Sequence, residues 1–260
     1  MALSSDMKAV VIKLGGAALP HKDAVVADLQ AAMAAGYRPI LVHGGGPIIS
    51  DWLKRIGKEP IFVNGLRQTD AETLEVAVMV LAGKVNKELV AELQNAGTPA
   101  IGLCGVDGGF IRAHRQTDPD IGFVGEVDEV DPRPLAALAA AGYVPVVAPI
   151  ALGPDGPLNV NADTVAGDIA RAVGATSLIF LTDVPGVKDG AGRVLPVLDR
   201  ARAEALRRDG VISGGMIPKV DACLRSLDRV ARASILDGGR PHAIMEELLA
   251  RCAAGTVFTA

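Results

Sequence analysis

The sequence predicts an α/β protein with an open, largely parallel central sheet sandwiched between helices and hairpins at the sheet edge. Three observations carry this expectation: short apolar runs recur along the chain, Ala-rich stretches of helical periodicity separate them, and glycine or proline punctuates their exits. Strands buried on both faces read as continuous apolar runs rather than alternating ones, as expected of a parallel sheet covered by helices on each side.

Ala9-Val10-Val11-Ile12 is the first such run, ended by Gly15-Gly16, and Ile40-Leu41-Val42 is the second, ended by Gly44-Gly45-Gly46. A helical stretch follows each. Ala100 to Leu103, Val144 to Ala148, Ser177 to Leu181 and Arg232 to Leu236 continue the rhythm as strands. Two segments break it. Lys58 to Asp70 and Gly108 to Val130 are richer in glycine, charge and turn signals such as Asn64-Gly65, and are expected to be hairpins standing off the sheet. Asp155-Gly156 and Asp189-Gly190 mark further tight turns. Thr73 to Gln94 carries Leu74, Val78, Leu81, Val85, Leu89 and Leu93 at helical spacing, while Val76, Met79 and Val80 widen the stripe. That helix is expected to be buried on two sides, either within one domain or against a second chain. A lobe boundary is placed near Ala172 to Thr176, giving an amino-acid-binding and dimerisation lobe of 1–172 and a nucleotide lobe of 173–260.

Composition narrows the function. With 260 residues, half of them apolar, the chain can bury a large core, and a net charge of -4 without runs of Lys or Arg excludes a dedicated nucleic-acid or anionic-membrane binder. Small solutes are the expected partners. Cys104, Cys223 and Cys252 are isolated and odd in number, so neither a disulfide framework nor a zinc site is suggested. The apolar stretch Leu135 to Leu152 is broken by Gly142, Pro145 and Pro149, which makes it a helix end and a buried strand rather than a membrane span. Met1 to Lys8 lacks the apolar core of a signal peptide, and a cytoplasmic location is expected.

Ligands of open α/β sheets bind beyond the carboxyl ends of strands, where glycine lets backbone amides approach an anion. Lys13-Leu14-Gly15-Gly16 and His43-Gly44-Gly45-Gly46-Pro47 are two glycine clusters at such ends, with Pro47 suited to a first helical turn. Each alone is more often a structural turn, but two at the exits of two strands, one with a lysine on the strand itself, favour an anion site. Neither has the Walker GxxxxGK[ST] or GxGxxG spacing, so any phosphate site belongs to another architecture. In Asn159-Val160-Asn161-Ala162-Asp163, Asn161 reads as an N-cap and Asp163 as a first-turn carboxylate favoured by the helix dipole. Lys219, in the first turn after Gly214-Gly215-Met216, opposes that dipole, which hints at a functional demand such as reaching a phosphate. Arg67 could be no more than a solvated hairpin charge. His21, His43, His114 and His242 have no metal spacing and are read as structural or exposed, His43 alone being near a candidate site.

Together these segments resemble the N-acetylglutamate kinases of the amino-acid kinase family, and they do so in order along the whole chain. The resemblance rests on Lys13-Leu14-Gly15-Gly16, His43 to Pro47, Asn64-Gly65-Leu66-Arg67 with Thr69-Asp70, Gly122 to Val127, Asn159 to Asp163, Leu181-Thr182-Asp183-Val184-Pro185-Gly186-Val187, and Gly214-Gly215-Met216 with Lys219. The lysine-glycine and Thr-Asp-Val-Pro-Gly segments specify only the superfamily; the Asn-Gly-Leu-Arg hairpin narrows it to the acetylglutamate branch. It implies the amino-acid kinase fold and transfer of the γ-phosphoryl group of ATP to the side-chain carboxylate of N-acetyl-L-glutamate. Lys13 and Lys219 would flank the transferring phosphoryl group, with Asp163 fixing both. The amides of Gly15, Gly16, Gly44 and Gly45 would hold phosphate and carboxylate oxygens, Arg67 would clamp the α-carboxylate, and Asn159 would bind the amino-acid portion. Thr182 and Asp183 would belong to the nucleotide site, and Mg2+ would ride on phosphates and water without a protein metal site. A carboxylate nucleophile is already ionised at neutral pH, its ordinary pKa being about 4.3, so no catalytic histidine is demanded.

A kinase for a neighbouring acylated amino acid such as N-acetylaminoadipate, and a non-catalytic amino-acid sensor, are the alternatives. Intact Lys13, Asp163 and Lys219 speak against the sensor. By the same resemblance the enzyme is expected to be a homodimer joined through the helix after the Arg67 hairpin, with no regulatory signalling partner. Arginine insensitivity is also expected, because the segment Met1 to Met7 is too short for the N-terminal helix of arginine-inhibited relatives and the tail from Glu246 is abbreviated.

Overall fold

The computed structural model of the protein describes residues 8–15, 22–249 and 255–259. Met1 to Met7, Gly16, His21 and Cys252, all named above, lie outside the described residues. From β1 (Lys8–Leu14) the chain passes through α1 (Lys22–Ala34) to β2 (Tyr37–His43) and α2 (Gly46–Arg55). A hairpin of β3 (Phe62–Val63) and β4 (Leu66–Arg67) leads into one long helical run: α3 (Ala71–Val78), a π-helical segment (Met79–Val85) and α4 (Asn86–Asn95). Then come β5 (Ala100–Cys104), β6 (Ile111–Thr117), β7 (Asp120–Val130), α5 (Arg133–Ala140), β8 (Val144–Ala148), β9 (Ile150–Gly153) and β10 (Gly156–Asn159). The last stretch holds α6 (Ala162–Val173), β11 (Ser177–Thr182), β12 (Val197–Leu198), α7 (Arg200–Arg208), α8 (Met216–Ser226), β13 (Arg232–Asp237), α9 (Ala243–Leu248) and β14 (Gly255–Phe258).

These elements form two compact units, the first of Met1–Leu41 with Ala166–Ala260 and the second of Val42–Val165. In the first, the sheet order is β12-β14-β13-β11-β1-β2. β1 pairs parallel with β11 from Val10↔Ser177 to Leu14↔Leu181, and β11 pairs parallel with β13 from Ser177↔Arg232 to Thr182↔Asp237. The continuous apolar runs are the reason: Val10 to Ile12, Leu178 to Leu181 and Ile235-Leu236 are fully buried, so both faces of these strands are covered. At the other edge β14 pairs antiparallel with β13, and β12 pairs parallel with β14. A mostly parallel sheet flanked by helices is therefore what the protein adopts.

The second unit contains the parallel pair β5 and β8, in register from Ala100↔Val144 to Cys104↔Ala148. The Gly108 to Val130 hairpin does more than stand at an edge, because its strands β6 and β7 close with β9 and β10 into a small four-stranded barrel. The other predicted hairpin turns at Asn64-Gly65, both with positive φ, as a two-residue hairpin turn requires. Backbone bonds Thr69 N to Ile121 O (2.8 Å) and Phe123 N to Thr69 O (2.6 Å) then fasten the residue after that hairpin to β7. In the long helical run Val76, Val80, Leu81, Val85, Leu89 and Leu93 are buried, whereas Met79 is 62% exposed. No helix among the described residues is long and apolar enough to cross a membrane, and Cys104 and Cys223 are buried thiols.

Candidate active site

The second unit brings together most of the residues expected to bind the amino acid. β2 ends at His43, and Gly44 and Gly45 lead into α2, with Gly45 at its N-cap and Pro47 in its first turn. The first amides of a helix have no intrahelical acceptor and carry partial positive charge. Among the described residues the amides of Gly44 and Gly45 find no acceptor. The close fit comes from the π-helical segment: a Cβ on Gly45 would lie 2.6 Å from Leu81 Cδ2.

Arg67 folds inward from β4 and is only 8% exposed. Its Nη2 donates to Gly46 O (2.8 Å) and Ser50 Oγ (2.9 Å), its guanidinium lies 4.7 Å from the Phe62 ring centroid, and Nη1 is buried with no hydrogen-bond partner among the described residues. Burial pulls the guanidinium down from its ordinary value without removing its charge. The reading of Arg67 as a solvated hairpin charge is thereby replaced: one guanidinium edge is fixed by protein and the other aims a donor with nothing to bind. Its backbone is held as well, since Thr69 Oγ1 donates to Arg67 O (2.8 Å) and receives Asn159 Nδ2 (3.2 Å). Arg67 and Asn159, 92 positions apart in number, are thus joined through one buried threonine.

Asn161 caps α6 as expected, its Oδ1 accepting from the amides of Asp163 (2.8 Å) and Thr164 (3.2 Å). Asp163 is buried in that first turn. Ser50 and Asn86 belong to the same unit and were not singled out by sequence; each is a lone polar residue outside any motif. For Asn86 a signal existed, an amide side chain on the apolar stripe between Val85 and Leu89.

The first unit holds the residues expected at the phosphates. Lys13 is buried on β1, opposite Phe180 in register. Gly15 donates its amide to Leu181 O at 2.8 Å, and a Cβ on it would stand 2.5 Å from the same oxygen. What Gly15 contributes is room for that approach, its N–H being already engaged. Thr182 is buried at the end of β11 and its hydroxyl bonds to Asp183 Oδ1 (3.0 Å), Asp183 itself being exposed. Lys219 lies in the first turn of α8 with Nζ donating to Gly215 O (3.1 Å). Among the described residues no group of three His, Cys, Asp or Glu could hold a metal ion.

Paired glycine turns at strand exits, in an α/β protein without a Walker loop, fit a known class of phosphotransferase. The model of the amino acid kinase family matches residues 8–237, and the chain belongs to that family. It is 49% identical over 259 residues to the acetylglutamate kinase of Nostoc sp., covering 96% of this chain and 87% of that one. It is 47% identical over 268 residues to the acetylglutamate kinase of Acidiphilium cryptum, covering 96% and 90%. The crystal structure of smu.665 from Streptococcus mutans superposes with a TM-score of 0.85 at 26% identity, over 97% of this chain and 99% of that one. Within the family, the branch of this chain is that of the acetylglutamate kinases.

Proposed function

We propose that this protein transfers the γ-phosphoryl group of ATP to the side-chain carboxylate of N-acetyl-L-glutamate, giving N-acetyl-L-glutamyl 5-phosphate and ADP in arginine biosynthesis. The near-half identity to acetylglutamate kinases supports this, and one observation in the second unit carries it: the buried Arg67 with Nη2 satisfied and Nη1 without a partner among the described residues. A buried donor left unpaired costs about 1–3 kcal/mol, and a carboxylate is the acceptor that best removes that cost. Arg67 takes the α-carboxylate, Asn159 binds the amino-acid portion beside it, and the amides of Gly44 and Gly45 take the oxygens of the attacking carboxylate.

An ionised carboxylate oxygen forms the new bond to the γ-phosphorus while the bond from that phosphorus to the β–γ bridging oxygen breaks, and ADP leaves. No proton needs to move, so the task is to align two anions and neutralise charge. Lys13 and Lys219 supply the positive charge for the phosphates, Gly15, Gly16, Thr182 and Asp183 shape the nucleotide side, and Asp163 keeps the role of fixing the lysines that the resemblance gives it. The nucleotide enters as MgATP, its ion held mainly by phosphates and water.

An ADP-release assay tests the reaction. N-acetyl-L-glutamate is expected to support turnover, with N-acetylaminoadipate poorer by the roughly 1–3 kcal/mol that one methylene is worth. Release of ADP with neither acceptor overturns the reading, and equal rates move it to the aminoadipate branch. The same reading makes the enzyme a cytoplasmic homodimer, supported by the exposed apolar side chains of Ile61, Phe62 and Met79 in the second unit. Sedimentation at the mass of one 26.7 kDa chain counts against the dimer. Inhibition needs two states of different arginine affinity, and none is proposed. Millimolar L-arginine is expected to leave velocity and KM unchanged.

A further inference from the structure

His43 ends β2 with its ring buried, and both ring nitrogens have defined neighbours. Nδ1 lies 2.8 Å from Gly44 O. A carbonyl oxygen only accepts, so Nδ1 carries a proton. Nε2 lies 3.2 Å from Asn86 Nδ2. The orientation of the Asn86 amide is set independently: Nδ2 donates to Val146 O at 2.8 Å, and Oδ1 accepts from Lys87 Nζ at 2.9 Å. Asn86 therefore presents a donor to His43, and Nε2 must accept. These contacts define one neutral tautomer, protonated at Nδ1.

The peptide between Gly44 and Gly45 is where this matters. In a trans peptide the carbonyl and the N–H point in opposite directions. Drawing Gly44 O toward the buried ring turns the Gly45 N–H the other way, to the head of α2, where it has no acceptor among the described residues. Two successive glycines offer little resistance to a flip of that peptide, since neither has a Cβ to forbid the alternative. The flipped form would present a carbonyl dipole where the N–H now points.

We propose that His43, kept in the Nδ1–H tautomer by Asn86, is a positioning residue that aims the Gly45 amide at the acceptor carboxylate. The proposal rests on the acetylglutamate kinase reading and assigns the device that orients its anion-holding turn. The π-helical segment belongs to the same device. It widens the helix just ahead of α4, bringing Leu81 against Gly45 and delivering Asn86, wholly buried, to the imidazole. A donor that holds the attacking oxygen in line with the phosphorus acts through alignment, and misplacing it is expected to cost roughly 10²-fold in turnover.

His43→Asn, His43→Gln, His43→Leu and Asn86→Leu test it. The amide nitrogen of Asn sits the same number of bonds from Cβ as Nδ1, whereas that of Gln reaches to the Nε2 position. His43→Asn is expected to keep kcat within about threefold of wild type, and the Gln and Leu variants, which misplace the attacking oxygen, to lose about 10²-fold. KM for ATP is expected to stay fixed in all of them, with thermal unfolding checking that each is folded. Equal losses in the Asn and Leu variants, or near wild-type kcat in folded His43→Leu, overturn the proposal. Nitrogen-15 spectra of labelled histidine in the wild-type protein supply a readout free of activity. His43 is expected to be protonated at Nδ1 and bare at Nε2, and the opposite tautomer overturns the proposal whatever the substrate. If the wild-type enzyme turns over a different acyl amino acid, the substrate reading fails while the His43 series is still decided with that acceptor.

Discussion

The chain leaves β1 and β2 through turns that look alike in sequence, Leu14-Gly15 and His43-Gly44-Gly45, and the two are held in opposite ways. At Gly15 the backbone itself is fastened: its amide bonds to Leu181 O, and the glycine is needed because any side chain would strike that carbonyl. At Gly44 and Gly45 the backbone amides are left unbonded within the described residues, and a side chain, His43, holds the peptide through its carbonyl. One turn uses glycine for proximity and places the lysine just before it, Lys13. The other uses glycine to expose donors. A Gly-Gly exit in a sequence therefore does not by itself announce an anion-binding nest; what matters is which group already occupies the amide.

The largest effect that would break this contrast concerns the lysines of the first unit. If the β1 turn serves to place Lys13, then Lys13→Ala, like Lys219→Ala, lowers kcat by roughly 10²-fold or more with little change in KM for N-acetylglutamate. A purified, folded variant that turns over like wild type removes that lysine from the chemistry. Next comes the pair Gly15→Ala and Gly45→Ala. The first drives a methyl group into a backbone oxygen and is expected to destabilise by roughly 1–3 kcal/mol in urea unfolding. The second meets only the end of the Leu81 side chain, and is expected to cost less in stability while reducing activity. Equal midpoints for the two variants would erase the difference between the turns.

Arg67→Lys sharpens the comparison from the other side, because it leaves Gly44 and Gly45 in place and removes only the fork beside them. Its loss should fall on KM for N-acetylglutamate, about 1–3 kcal/mol in kcat/KM, with KM for ATP hardly moved. A matching rise in both constants places Arg67 elsewhere. The smallest effect is at the hairpin's exit. Asp70 caps α3 by accepting from Thr73 N (2.9 Å), and the Lys58 ammonium, with that amide, holds its carboxyl down at about 2. A depressed carboxylate stabilises above its unfolded value, so this contribution is present from above about pH 4 upward and fades as pH falls toward 2. Asp70→Ala is expected to cost about 1 kcal/mol at neutral pH and progressively less as pH falls through about 2.

Much of the fold was legible because its signals are local. Continuous apolar runs marked β1, β2, β8, β11 and β13, Asn64-Gly65 marked a hairpin, and Asn161 announced the start of α6. The resemblance named Arg67 and Asn159 together, but nothing in either motif shows that Thr69 joins them. Three things lay beyond local signals. The barrel depends on pairing between β6 and β9, which no spacing encodes. The π-helical segment hides inside a stripe of helical period, since one wider turn barely disturbs the periodicity of Leu81, Val85 and Leu89. His43 carries no metal spacing, and a ring that orients its neighbour's peptide leaves no other trace in the sequence.

The division into units carries a consequence for how the molecule is made. The second unit is one unbroken stretch, whereas the first is assembled from chain on either side of it. Ala9 and Thr176, bonded at the edge of the β1–β11 pairing, are 167 residues apart. As synthesis proceeds from the amino end, all of Val42 to Val165 leaves the ribosome before any partner for β1 on that side exists. At roughly 5–20 residues per second, the apolar strand that bears Lys13 waits about ten to thirty seconds for β11. The lysine proposed to serve the phosphates is thus translated well before β11, the strand against which its own strand pairs.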